Sequence, residues 1–520
     1  MAFRITYSVL NADMSELHKE FDSTLAKVRL GLGKEYPYWM GGKAGTSGQF
    51  LEDFNPANTD ELLGRFHKTP SKEMDRMMEI ARGAQVAWGH PSNWKERIRI
   101  LRKAADLISE RRLEIAVCMG LECGKNRLEC LGDVEEGADL LRYYAGQLEE
   151  ANGFVKPMGK LSPNENAVSI LKPFGVFLVV APFNFPLALV AGMCGGALLG
   201  GNSVVLKPSR ETPWCSQKFY ECMRDAGLPE GVLQVVHGTG SEMGDVLIRH
   251  RAVDGIVFTG SYEVGMKIMR EFSTAHPKPC ILEMGGKNPA IICESADLTK
   301  AVEGCWRSAF GATGQKCSAL SRIYVHKKIK EDFLDRLCEK TMTTVIGDPT
   351  DKSVFMGPLI TERSLKTHLS AIQEAKKDGK ILCGGEDIRK DPKLAKGHFA
   401  QPTIVEVPRG HRFFRDELFT PFLAVDTFEK LEDAIEQSNQ ANYGLTAGIF
   451  SAKKEEIDTF MDKMHSGILY ANRGTGATTG AWPGVQPFCG WKGSGSTGKG
   501  GCGPYYVAQF MREQSQTRME

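Results

Sequence analysis

Within residues 311–322, Gly-Ala-Thr-Gly-Gln-Lys-Cys-Ser-Ala-Leu-Ser-Arg, one thiol stands among small side chains. Cys317 has Lys316 before it and Ser318 after it. Bulky neighbours would block the approach of an electrophile, so the small residues suit a nucleophile. A cysteine attacks as its thiolate, which nearby cations or a helix N-terminus favour. The expectation is therefore an open turn at 311–314 and a thiol whose pKa is lowered. A lone cysteine is more often inert packing, so the case for chemistry rests on what surrounds it.

The surroundings form a constellation. From residue 175 onward, short apolar runs alternate with helical stretches. Strands are expected at 176–180, 203–206, 232–236, 255–258 and 280–282, with helices at 187–199, 212–226, 243–249 and 264–272 between them. That alternation is the pattern of a parallel sheet with helices on both faces, in which ligands bind beyond the carboxyl ends of the strands. The residues found there are Asn184 and Phe185, then Lys207, Ser209 and Arg210, then Gly238 and Gly240, then Gly260 and Ser261, and finally Glu283. Gly260 and Ser261 precede a helix, where free amides and a hydroxyl suit an anion such as a pyrophosphate. No strict G-x-G-x-x-G fingerprint is present. A second α/β unit follows, with a strand at 288–293, helix 298–309, the cysteine loop, strand 322–325, helices 329–344, 362–378 and 431–441, and a strand at 402–405. Glycine then dominates 474–503, a strand is expected at 505–510, and near the start residues 36–48 read as turns.

The motif G-Q-K-C-S-A-x-S-R, together with Leu282-Glu-Met-Gly-Gly and Asp416-Glu-Leu-Phe-Thr-Pro, resembles the aldehyde dehydrogenase superfamily. The form is most similar to its 1-pyrroline-5-carboxylate (L-glutamate γ-semialdehyde) dehydrogenases, and the likeness runs from about residue 39 to 510. It implies an α/β fold with a Rossmann-type cofactor domain at 1–285, an oligomerisation hairpin inserted at about 151–172, and a catalytic domain at 286–473. Substrate-anchor loops and an oligomerisation strand would occupy 474–520. It implies NAD-dependent oxidation of an aldehyde, with NADP possible, through a thioester on Cys317. Asn184 would hold the oxyanion and Glu283 would activate the hydrolytic water.

By the same resemblance Lys207, Ser209, Arg210, Gly240, Gly260, Ser261, Glu417 and Phe419 would contact the dinucleotide. Ser318, Gly480 and Ala481 would anchor the α-carboxylate, Phe185 and Phe488 would sandwich the aliphatic chain, and Glu136 would stand near the reaction centre. Five positions depart from the family pattern. Thr420 replaces a glycine, Arg210 stands where NAD-specific members place glutamate, Trp482-Pro483 interrupts the anchor loop, and Cys489 replaces another glycine. Trp482-Pro483 and Cys489 are expected to reshape the pocket, which leaves another aliphatic or aromatic aldehyde as an alternative substrate. A non-catalytic binding protein is a remote alternative, because both Cys317 and Glu283 are retained.

Bulk properties set limits. A formal net charge of +1 over 520 residues argues against a nucleic-acid partner held by bulk charge. Fourteen cysteines lack C-x-x-C pairing, no metal is expected, and the start of the chain does not read as a secretory signal. The expectation is a reduced, cytoplasmic homodimer or higher homo-oligomer that makes no membrane contact. Its length leaves no room for a proline dehydrogenase domain, so a separate enzyme would supply the semialdehyde.

Overall fold

A computed structural model describes residues 14–476 and 481–520. Five runs rich in Val, Ile, Leu and Phe form the expected parallel strands: Val176–Val180, Ser203–Lys207, Leu233–Val235, Gly255–Thr259 and Cys280–Glu283. They belong to a seven-stranded sheet in which Val176–Val180 lies between Ser203–Lys207 and Gly255–Thr259. Chain direction across the sheet reverses there. The reversal opens a crevice at the carboxyl ends of these strands, the usual place for a ligand in such sheets.

Helix Ala188–Leu199 packs against this sheet and is buried along its whole length. Its apolar surface is explained by helices on its other sides, Trp94–Glu110 and Arg127–Glu150. Gly195 and Gly196 allow that approach, since a Cβ at either would lie 2.5 Å from Leu141 or Phe510 respectively. Among the described residues no helix is long and apolar enough to cross a membrane.

Two expectations need correction. Residues 36–48 read as turns, but Tyr38–Met40 and Lys43–Gly45 are strands that complete the seven-stranded sheet. Only Gly41 and Gly42 turn, both at positive φ (59° and 76°), as a two-residue hairpin loop requires. The strand expected at 505–510 is instead a 3-10 turn, Val507–Phe510. A turn lets Tyr506 stack on Tyr144 at 5.0 Å while Phe510 meets Phe177 at 5.1 Å. The strand begins one residue later. Met511–Met519 pairs antiparallel with Glu165–Pro173, and Val155–Pro157 lies on the other side of that strand. The 151–172 hairpin and the C-terminal segment therefore form one three-stranded sheet.

A second seven-stranded sheet has Asn288–Ile292 between Leu320–His326 and Thr446–Phe450. Cys280–Glu283 leaves the first sheet at its carboxyl end, and Asn288–Ile292 enters the second only five residues later. The carboxyl ends of one sheet thus face the amino ends of the other. Cys317, just ahead of Leu320–His326, is carried into the same crevice as Glu283.

Candidate active site

The cysteine loop is a strained turn held from several sides. After helix Leu298–Phe310 the chain runs through Ala312, Thr313 and Gly314, all at positive φ (49°, 57° and 69°). Non-glycine residues in that region cost roughly 1–3 kcal/mol each and persist only where the surroundings enforce them. Here the Ala312 N–H donates to Glu129 Oε1 at 2.7 Å, and Thr313 Oγ1 donates to the Gly357 carbonyl at 3.0 Å. Asn288 Nδ2 donates to the carbonyls of Cys317 and Ala319 at 2.7 and 2.9 Å. Gly314 is required at its position, because a Cβ would lie 2.5 Å from the Thr420 carbonyl oxygen.

The loop does not give Cys317 the expected thiolate character. Burial first, then the Glu417 and Glu283 carboxylates, push the thiol up to about 12. The N–H groups of Ser318 and Cys317 pull the other way and do not prevail. Lys316 cannot reverse this, since burial destabilises its own ammonium and lowers its pKa. The turn also follows the C-terminus of helix Leu298–Phe310, so that helix presents its carbonyl end, not its amide end, to the loop. The resting nucleophile is a protonated thiol.

Glu283 ends strand Cys280–Glu283, and its Oε2 is buried without a hydrogen-bond partner among the described residues. Burial raises its pKa well above the carboxylate range, against a single backbone donor at Gly490. Asn184 is 5% exposed, and its Nδ2 donates to the Gln315 carbonyl at 3.0 Å, two residues before the thiol. A cavity of about 230 Å³ brings the thiol and Glu283 together with Phe185, Ser318, Ala481, Phe488 and Glu136. Gly480 lies outside the described residues.

Two departures from the family pattern have other consequences than expected. The Trp482 indole is buried and donates to Asp139 Oδ2 at 2.9 Å, so it fastens the loop beside Ala481 without lining the cavity. Pro483 faces a separate outer cleft. Cys489 donates to the Gly467 carbonyl at 3.3 Å and does not line the cavity either. Thr420 sits at ordinary φ, and the positive φ of that turn (58°) falls on Phe419.

The cofactor candidates line the crevice. Lys207 ends its strand, and burial lowers its pKa to about 8. Its ammonium makes one long hydrogen bond among the described residues, 3.3 Å to the Pro208 carbonyl. Glu417 Oε1 accepts from the Gly286 N–H at 2.9 Å, and burial raises this carboxyl to about 7. Phe419 meets Phe183 edge-on at 5.9 Å. Ser261 caps helix Tyr262–Phe272, and the Gly260 N–H donates to the Glu283 carbonyl at 3.1 Å. Gly240 opens helix Gly240–Ile248 with free space where a Cβ would stand. Ser209 Oγ accepts from the Glu211 N–H, while the exposed Arg210 pairs with Glu211 at 2.7 Å. An under-bonded buried ammonium, a carboxylate and two helix N-termini, one capped by Ser261 and the other by Thr239, fit a dinucleotide.

Four polar side chains at this site carry no signal in the sequence pattern: Lys125, Glu129, Asp133 and Asn288. They are distant from Cys317 along the chain, and only folding brings them to it.

Comparison with known proteins agrees with this geometry. The Aldehyde dehydrogenase family profile matches residues 43–515. The chain belongs to the aldehyde dehydrogenase family. It is 36% identical over 507 residues to a 1-pyrroline-5-carboxylate dehydrogenase of Geobacillus sp. (strain WCH70), covering 96% of each chain. A 1-pyrroline-5-carboxylate dehydrogenase from Thermus, solved with bound NAD, superposes with a TM-score of 0.93 at 32% identity, over 100% of this chain and 99% of that one. Proline utilization A from Bdellovibrio bacteriovorus superposes with a TM-score of 0.90 at 33% identity, over 96% of this chain but 52% of the longer one. As an aldehyde dehydrogenase, the chain has the family's α/β architecture across its described length.

Proposed function

We propose that this aldehyde dehydrogenase oxidises L-glutamate γ-semialdehyde to L-glutamate with NAD. The observation that carries the reading is the single cavity shared by Cys317, Glu283, Ser318, Ala481, Phe185 and Phe488. A nucleophile and a base stand there with a polar anchor and two aromatic walls. That arrangement suits a short aliphatic aldehyde with an anion at its far end. The names of the relatives support the same substrate.

In this reading the Cys317 thiol gives its proton to solvent and its sulfur bonds to the aldehyde carbon as the C=O π bond breaks. The Asn184 side-chain amide and the Cys317 N–H hold the oxyanion that forms. Asn184 spends one of its two amide protons on Gln315, which leaves the other for that oxygen. Lys207 and Glu417 hold the two riboses, Gly260 and Ser261 meet the pyrophosphate, and Phe419 backs the nicotinamide; Ser209, Arg210 and Gly240 complete that wall. The bound dinucleotide supplies the hydride acceptor. Glu283 then takes a proton from water, the water oxygen bonds to the thioester carbon, and the C–S bond breaks to release the acid. Glu136 lines the substrate side of the cavity.

The domain division at 285 and 473 follows from this reading, with substrate-anchor loops and the oligomerisation strand in 474–520. The edge strand Met511–Met519 and the exposed Met158 and Leu161 of the 151–172 hairpin are covered by a second copy in a homo-oligomer. A cytoplasmic proline dehydrogenase supplies the substrate.

Ser318→Ala tests the substrate. Removing one charge-assisted hydrogen bond costs roughly 1.5–3 kcal/mol, or about ten- to a hundredfold in kcat/KM for the semialdehyde. Hexanal, which has no anion, should be nearly unaffected. A wild type that prefers hexanal, or equal effects on both aldehydes, would assign the site to a neutral aldehyde.

A further inference from the structure

Two buried charges beside the cavity have no place in the mechanism so far, and one of them, Lys125, is among the residues that line it. Lys125 follows Gly124, the left-handed residue (φ 78°) that ends helix Arg112–Cys123. Asp133 lies on the next helix, Arg127–Glu150. Their side chains are 3% and 0% exposed and meet at 2.8 Å. The Asp133 carboxylate keeps the Lys125 ammonium charged despite its burial. A buried ion pair is seldom a net stabiliser compared with an apolar pair of similar volume, so its contacts matter more than its charge balance.

Those contacts converge on one turn. The Lys125 ammonium donates to the Asn184 carbonyl at 3.2 Å and lies 3.8 Å from the centre of the Phe185 ring. Asp133 Oδ1 accepts the Ala188 N–H at 2.7 Å. Ala188 begins helix Ala188–Leu199, which has no side-chain cap of its own. The pair thus grips both ends of the 184–188 turn, while Asn184 Nδ2 spans to the cysteine loop at Gln315.

We infer that Lys125 and Asp133 are the positioning pair for the oxyanion donor, acting on acylation through the placement of Asn184. This rests on the reading of Asn184 given above. An amide misplaced by about 1 Å can cost on the order of a hundredfold in rate, and the grip on the Asn184 carbonyl is what prevents it.

The test is a double-mutant cycle on the single-turnover rate of acylation, with NADH binding measured by fluorescence as a check on the fold. Asn184→Ala should slow acylation by about 100- to 1,000-fold. Lys125→Met should slow it by about ten- to a hundredfold while moving NADH affinity by less than about threefold. The double variant should be no slower than Asn184→Ala alone, to within about threefold, because a clamp cannot misplace an absent amide. Two results would overturn the inference: an unchanged rate in Lys125→Met, or the same slowing by Lys125→Met with and without Asn184. Should Lys125→Met fail to fold, the Lys125→Gln/Asp133→Asn pair carries no charge and runs through the same cycle with the same criteria. A wild type that oxidises no aldehyde would instead refute the proposed function and leave a different experimental signature.

Discussion

Replacing Glu283 by Gln gives the sharpest test of the mechanism. The carboxyl is buried, has one backbone donor at Gly490, and leaves Oε2 unpartnered among the described residues. Burial therefore holds it protonated well above the usual carboxylate range. A base must be ionised to work, so hydrolysis of the thioester should accelerate about tenfold per pH unit until the folded pKa is passed. Glutamine keeps the shape and cannot take the proton, and loss of general-base help slows a step by about 100- to 10,000-fold. In a stopped-flow experiment Glu283→Gln should release one equivalent of NADH as a burst and then stall. Its residual rate should no longer rise with pH. An unchanged steady-state rate would remove Glu283 from the mechanism. A missing burst would show that Glu283 also deprotonates Cys317, whose thiol is pushed up to about 12.

The same shift makes a stability prediction. A carboxyl whose folded pKa is raised contributes stability that is fully present below its unfolded pKa. That contribution is lost as pH rises through the folded value. Glu283→Gln should melt higher than wild type in alkaline buffer and alike in acid. Equal melting temperatures at both ends would mean that Glu283 is solvated in the resting enzyme.

Other variants address single residues. Cys317→Ser should abolish aldehyde oxidation by about a thousandfold or more while NADH titration shows near-normal binding; a tenth of wild-type turnover would disprove the covalent route. Arg210→Glu sets a second carboxylate beside Glu211, so kcat/KM with NADP should fall more than about tenfold while NAD changes little. Equal NADP use in both proteins would show that Arg210 does not face the 2′ position. Trp482→Phe removes the donor to buried Asp139 and should destabilise the protein by about 1.5–3 kcal/mol in chemical denaturation, with aldehyde preference unchanged. A changed preference would return Trp482 to the substrate wall.

The sequence by itself determined the order of elements and the chemistry available. Short continuous apolar runs and helical spacing are local, so the five parallel strands and helix Glu362–Asp378 were legible. Cys317, Glu283 and Asn184 could be named as candidates because each sits in a short motif or just beyond the end of a strand. Three things required the tertiary structure. The ends of elements depend on burial, so Tyr506 and Phe510 became a turn where their apolar character had read as strand. The direction a side chain takes depends on its partners: Trp482 reached Asp139 and left the cavity. The charge state of a group depends on its surroundings, so Lys316 beside Cys317 in the chain did not lower a thiol that lies buried near Glu283 and Glu417. Lys125 reaches Asn184 and Asp133 reaches Ala188 only through folding, because contacts 59 and 55 residues away along the chain leave no periodic trace in sequence.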